Sequence, residues 1–367
     1  MPTVADVVRA VDRLAPLALA EEWDNVGLVL GEPPWPVRRV LAALDVCDAT
    51  CAEAERLRAD ALVVHHPLIF QAVKRLTGDS RSSRVALRLL AARRALIVAH
   101  TNLDAAPGGL SDILAQMVGL RDAEPLAPAP SAGKCKIVVF VPEAALEGVR
   151  QAAFAAGAGR IGEYAECSFA AAGEGTFRPG EAARPAVGER GRRTRVREFR
   201  LEVLADDGRA ARIVAAVARV HPYEEPAIDV YPVKAADPWS GVGRVGLLRR
   251  PMRAAVFAAR VKRILRRRAV ALGGPADALI ERLALCPGGG GNMVPAVLAS
   301  GSQAYLTGEL AMHQVKELAA AGIASVQAGH YETERIALEG WFPRLAEALA
   351  GLDVRLSRKE RPPAVLK

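Results

Sequence analysis

The chain has 367 residues, 51% hydrophobic and 25% charged, a soluble globular composition long enough for two or three domains. Its formal net charge of +8 gathers in the runs Arg190–Arg197, Arg260–Arg268 and Arg358–Arg361; no stacking aromatics interleave them, which argues against a nucleic-acid binder. No apolar run approaches a membrane span, and the amino terminus reads as an amphipathic helix without a signal-type apolar core. Five cysteines, an odd number without a CxxC pair, fit reduced thiols, so a cytoplasmic location is expected.

After that first helix, Glu21–Gly31 holds a turn at Asp24-Asn25 and a strand at Leu28–Leu30. Arg39–Val46 is a second apolar run, and Asp48 or Thr50 caps a helix from Cys51. Leu62–Val64 reads as a buried strand that runs into His65, His66 and Pro67. Pro67 has no N–H for a ladder, so the strand ends there, and the histidines stand at its carboxyl end, where α/β sheets place sites. One histidine in the core and one on the surface is the competing reading. Strand, helix, strand predicts a parallel pair with a right-handed crossover. A basic helix over Arg81–Arg94 leads to the strand Ala95–Ala99 and then His100-Thr-Asn-Leu-Asp104, again polar groups at a strand end. A loop, Ala106–Gly109, and a helix, Leu110–Val118, precede the Pro- and Ala-rich stretch Ala123–Gly133, which reads as a linker.

From Lys134 the rhythm changes: strand Lys136–Val141, helix opening at Pro142–Arg150, turn Gly157–Gly162, strand Tyr164–Ala170, loop Gly173–Pro179, then strand Arg195–Leu204, helix Gly208–Val220 and strand Ala227–Val233. Two β-α-β halves predict a ferredoxin-like α+β unit. His221, in Val220–Pro226, reads either as a satisfied turn or as functional. Lys234–Gly241 is a second linker. Val242–Leu248 resumes the α/β pattern, followed by a helix over Met252–Arg267 and a strand at Leu283–Cys286. Gly288–Gly291 before a helix could cradle a phosphate on exposed amides, but no P-loop lysine follows. The strand Ala304–Thr307 ends in Gly308-Glu309, and His313 falls early in the next helix. The last strand, Ala324–Gln327, delivers His330 and Glu334.

His330 and Glu334 are four apart, which puts them on one face of a helical turn, where they can share a divalent ion. Such a pair alone is common on solvated helices. Here three strand ends deliver His65-His66, Asp104 and His330 with Glu334, and four of the six histidines lie in these motifs. The expectation is a metal site across the top of a single sheet.

The motifs Glu22–Gly27, His65–Phe70, Ala99–Asp104, Tyr305–Glu309 with His313, and Gly329–Glu334 together resemble the GTP cyclohydrolase 1 type 2-like family, also called the NGG-interacting-factor-three-like family. Gly157–Phe169, Gly175–Pro179 and His221–Glu225 are similar to the PII-like insert of its longer bacterial members. The resemblance implies a mixed or parallel α/β domain with helices on both faces, built from residues 1–125 and 237–367. A PII-like, ferredoxin-like insert, 126–236, interrupts it. It also implies two divalent ions (zinc, manganese or iron) on His65, His66, Asp104, His330 and a bridging Glu334. His100 and His313 are then candidates for proton transfer, or for orienting ligands or packing in the core. The implied activity is hydrolysis of a nucleotide or other phosphate-bearing anion, GTP by the family's name. The alternative is a non-catalytic metal-binding assembly or regulatory protein whose insert senses a small ligand. A ring-shaped homohexamer suits either. Gln303 stands where an acidic residue often does, and Glu309 replaces the more usual Asp, so hydrogen bonds around the pocket stay open.

Overall fold

The computed structural model describes residues 1–129, 133–162, 164–233 and 239–362. The chain divides into two compact units, Met1–Ala129 with Asp237–Lys367, and Pro130–Ala236.

The first part of the larger unit comprises α1 (Val4–Leu14), β1 (Gly27–Leu30), β2 (Arg39–Ala43), α2 (Asp48–Leu57), β3 (Ala61–Val64), α3 (Arg81–Ala91), β4 (Ala95–Val98), α4 (Thr101–Ala105), α5 (Leu110–Val118) and β5 (Leu120–Pro128). β2, β3 and β4 are parallel and in register, with Val64 beside both Ala43 and Val98, so all three finish at one edge. Alternate residues Leu41, Leu62 and Leu96 pack under α2 and α3 with Cys51, Ala54, Val85 and Leu89. The oppositely directed Val40, Val63 and Ile97 are also buried, as expected for a parallel sheet covered on both faces.

The smaller unit runs β6 (Lys134–Pro142), α6 (Leu146–Ala155), β7 (Ser168–Phe177), β8 (Thr194–Asp206), α7 (Asp207–Val220) and β9 (Ile228–Val233). Its sheet order is β7-β8-β6-β9 with every neighbour antiparallel, a split β-α-β arrangement. Ile137, Val139, Val141, Leu201 and Val203 face Val149, Ala153, Ile213 and Val217, so both helices cover the same face. The loop expected at Gly173–Pro179 is instead strand through Phe177, with Gly175 paired to Val196. Hydrogen bonding to the long β8 overrides the weak strand preference of the two glycines.

The larger unit then resumes with β10 (Gly241–Arg253), α8 (Ala254–Ile264), β11 (Ala271–Gly273), β12 (Leu279–Gly289), α9 (Val294–Ala299), β13 (Ala304–Glu309), α10 (Met312–Ala320), β14 (Ala324–Gln327), α11 (His330–Ala348) and β15 (Asp353–Leu356). Two sheets result, ordered β1-β4-β3-β2-β15 and β11-β14-β13-β12-β10-β5. The single sheet expected from the sequence is therefore corrected to two. β12, β13 and β14 are parallel to one another and pair with β10 through the antiparallel β12, not with β2–β4.

The first predicted linker is corrected as well: Leu120–Pro128 is an edge strand against β10, with Pro125 and Pro128 beside Arg244 and Gly241. An edge strand tolerates proline because one row of its N–H groups has no ladder to join. Of the two predicted linkers, 130–132 and 234–238 lie outside the described residues. Among the described residues no helix is long and apolar enough to cross a membrane.

Candidate metal centre

The strand ends of both sheets of the larger unit meet at one place. Beyond β3, the His65 N–H turns to the carbonyls of Ala43 and Leu44 (3.2 Å each), and His66 follows with Leu44 at 2.9 Å. Beyond β4, the His100 N–H donates to Asn102 Oδ1 (2.8 Å), which opens the short α4 that carries Asp104. From the second sheet, Gly329 takes a left-handed φ of 94°, turning the chain from β14 into α11, whose first residue is His330. Glu334 follows one turn later, 4% exposed.

Glu334 is the meeting point. Its Oε1 lies 3.0 Å from His330 Nε2 and 3.9 Å from His65 Nε2, while Oε2 lies 3.0 Å from His66 Nε2. Asp104 Oδ2 is 3.7 Å from His65 Nε2. The other ring nitrogen of each histidine is occupied from behind. His65 Nδ1 donates to the Ala99 carbonyl (2.9 Å), His66 Nδ1 meets Asp45 (2.8 Å), and His330 Nδ1 meets Glu309 (2.9 Å). His100 Nδ1 sits 3.0 Å from both oxygens of Asp24. Each imidazole is thus oriented through Nδ1 and has Nε2 left to offer, as histidines that bind metals are held.

The charges show how tightly the cluster is balanced. Burial holds His65 neutral, pulling it down to about 3. Burial also works against charge on His66, but its hydrogen bond to Asp45 and the adjacent Glu334 carboxylate push it up to about 10. His330 rises to about 9, chiefly through Glu334. Burial opposes the Glu334 carboxylate, yet His330 and His66 hold it well below the ordinary range. Asp104 moves the other way, far above a normal carboxyl, because it is buried beside the Glu334 charge.

Three atoms here are buried without a hydrogen-bond partner among the described residues: His65 Nε2, Asp104 Oδ1 and Glu334 Oε2. Glu334 Oε2 is close to His66 Nε2 but not aligned with it as a hydrogen bond requires. Each such orphan costs about 1–3 kcal/mol, and a cation answers all three at once. The residues therefore fit a metal. Two groups of donors lie within 4.8 Å of one another, His65 with His66 and His100, and His66 with His330 and Glu334. His66 belongs to both.

The sequence-expected residues His65, His66, Asp104, His330 and Glu334 come together, and His100 joins them. His313 does not; it is exposed on α10 and outside both groups. The glycine run stands before a short helix. It ends β12, and α9 beyond it has only six residues. Its work is packing: a Cβ on Gly288 would stand 2.0 Å from Glu334 Oε1, and the Gly288 N–H donates to Thr333 Oγ1 (3.0 Å). Asp24 and Asp45 were missed from sequence, although Asp45 lies just past β2, where the rule that found His65 would have looked.

Two α/β sheets with imidazoles and carboxylates buried at their junction define a protein equipped to hold metal. The sequence profile of the family described as DUF34/NIF3 (NGG1p interacting factor 3) matches residues 2–363, and the chain belongs to this family. It is 38% identical over 362 residues to a GTP cyclohydrolase 1 type 2 homolog of Mycobacterium bovis, covering 96% of this chain and 94% of that one. The Bacillus subtilis GTP cyclohydrolase 1 type 2 homolog is 36% identical over 334 residues (91% and 89%). The crystal structure of a Bacillus cereus protein related to NIF3 is similar with a TM-score of 0.81 and 32% identity, over 100% of this chain and 99% of that one.

Proposed function

We propose that the chain is a metal-dependent hydrolase of nucleotides or other phosphate-bearing small molecules, working at a dinuclear divalent centre. The observation that carries this reading is the common aim of His65, His66 and His330, each fixed through Nδ1 with Nε2 left for a ligand bond. His65, His66, Asp104, His330 and Glu334 would hold the ions, and His66, within reach of both His65 and the His330–Glu334 pair, supports two of them. An all-N/O set suits zinc, manganese or iron. When bound, such ions supply Lewis-acid activation of water and neutralise an anionic substrate.

The chain's own residues would handle the protons. Asp24 accepts from His100 Nδ1 and from Thr101, and these bonds hold Asp24 near 2 against its burial. It therefore stays an anion, fixes the tautomer of His100 and leaves Nε2 placed to pass a proton. His313 would act only from the solvent side. We read the smaller unit as PII-like, which its strand order supports. The free thiols of all five cysteines agree with a cytoplasmic setting. A homohexamer is the assembly we expect, and light scattering would size it.

The relatives' name makes GTP the first substrate to try. Metal in the purified protein would be counted by mass spectrometry. Protein reloaded with manganese or zinc would then be assayed on GTP and a phosphoester panel beside His65→Ala and Glu334→Ala. The expected result is two ions per chain and hydrolysis lost in both variants. Activity unchanged in the variants would defeat the enzyme reading. Intact metal with no turnover would favour the non-catalytic assembly or regulatory protein.

A further inference from the structure

The smaller unit contains a cavity of about 600 Å³ that the metal centre does not use. It opens on the face of the sheet away from the helices. Along β8, Leu201, Val203 and Ala205 enter the helix-covered core, so Glu198 and Arg200 point to the opposite side. Phe140 of β6 forms part of the floor, Phe177 and Tyr223 form a wall, and Pro185 covers it from the long β7–β8 connection.

Glu198 is the unusual member. It is only 8% exposed, yet among the described residues no Lys, Arg or His forms an ion pair with its carboxylate. Space is kept for it by Gly175, where a Cβ would stand 2.0 Å from Glu198 Oε2. Beside it the Tyr223 hydroxyl is buried and lacks a hydrogen-bond partner. Burial and the adjacent Glu198 carboxylate push that hydroxyl up to about 12.

The wall is rigid. His221 Nε2 donates to the Phe140 carbonyl (3.1 Å), and His221 Nδ1 accepts from the Tyr223 N–H (3.1 Å), pinning the Tyr223 loop to β6. The rings of Tyr223 and Phe177 lie 6.1 Å apart. The lining is acidic in a protein that is basic overall, with Glu174, Glu198, Glu224 and Glu225 against Arg184 and Arg200. Arg200 is already engaged by Glu202 at 3.2 Å.

We propose that this cavity binds a small organic cation, a protonated amine or amidine on an apolar or planar body. The charged head lies on Glu198 and the Tyr223 hydroxyl, and the body lies against Phe140 and Phe177. A buried carboxylate without a counter-ion is costly, and a charged N–H donor supplies one while meeting the Tyr223 hydroxyl beside it. Aromatic faces add attraction for a desolvated cation. The volume falls within the range of about 300–1,000 Å³ usual for small-molecule sites. A bare metal ion is a poorer match, because among the described residues no group of three metal-type donors gathers in this unit. The inference stands apart from the hydrolase reading and survives its failure.

The test is calorimetric titration of the full chain with benzamidine and phenethylamine, with benzoate as the anionic control. Saturable binding of the two cations and none of benzoate is expected. Glu198→Gln should weaken cation binding by about tenfold or more, as loss of a charged hydrogen-bonding partner does. Tyr223→Phe, which keeps the ring and the wall, should weaken it less, and metal content should not change in either. Should Glu198→Gln misfold by circular dichroism, Tyr223→Phe carries the test, and unaltered affinity there overturns the proposal. Equal binding of benzoate, or full affinity in Glu198→Gln, also overturns it. So does the absence of any cation binding, and if Glu198→Gln then shifts the sedimentation of the protein, the face is a contact between copies of the chain.

Discussion

Asp45 Oδ1 stands 2.8 Å from His66 Nδ1, on the opposite side of the ring from Glu334, whose Oε2 is 3.0 Å from Nε2. One imidazole is thereby clasped by two carboxylates, one at the strand end of each sheet's neighbourhood. Asp45 fixes which nitrogen carries the proton and so which lone pair can reach an ion.

Asp45→Asn keeps the size of the side chain but removes its charge. Metal affinity should fall about 10–100-fold, with the fold intact by circular dichroism. Competition against a chromophoric chelator measures it, and an unchanged dissociation constant would exclude Asp45 from the orientation of His66.

Removing the metal should destabilise the larger unit, because Glu334, Asp104 and His65 would again be buried with orphaned atoms. A ligand present at a hundredfold excess over its Kd adds about 2.7 kcal/mol. Treatment with a chelator should lower the melting temperature, and zinc or manganese should restore it. Identical melting curves before and after would count against the centre.

Gly288 tests the packing. Its φ of 68° is unfavourable for alanine by about 1 kcal/mol, and the added Cβ would also strike Glu334. Gly301 has nearly the same backbone (φ 70°) with nothing within 4 Å of a Cβ, so it separates the two effects. Gly301→Ala should cost some stability and keep full metal occupancy. Gly288→Ala should cost more and lose metal, and equal occupancy in the two variants would refute the packing role.

His221 predicts a pH effect away from the metal. Burial lowers its pKa from the ordinary value near 6.5. The unfolded chain therefore takes up a proton first as the medium is acidified. The stabilising contribution is complete above pH 6.5 and is lost as pH falls from there through the lower folded-state value. His221→Gln should be less stable than the wild type at pH 8, with the gap narrowing towards pH 5. A gap that stays constant in thermal melts would contradict this.

Much of the plan could be read from residue order. Runs such as Leu62–Val64 and Ala95–Val98, each stopped by polar or prolyl residues, announce buried parallel strands and place their histidines at carboxyl ends. The division into two sheets could not be read, because an apolar strand does not say which neighbour it will pair with. Pro125 and Pro128 disguised β5, since proline argues against a strand except at an edge, and edge status is a tertiary fact. β15 was missed for the opposite reason: Asp353-Val-Arg-Leu is too short and too polar to stand out until β2 offers it hydrogen bonds. Asp24 and Asp45 are ordinary turn carboxylates in sequence. Only the fold brings them behind His100 and His66. For His221, the satisfied-turn reading describes its hydrogen bonds.

β15 completes the first sheet by lying parallel to β2, with Arg39 clamped to Asp353 across 314 positions of chain. During translation, β2 must therefore leave the ribosome with one flank bare and wait for some three hundred further residues, the smaller unit included, before its neighbour is made. An unpaired flank of that kind invites pairing with a stranger. The nascent amino-terminal half should accordingly be a client for chaperones, and messages truncated before codon 353 should yield insoluble product.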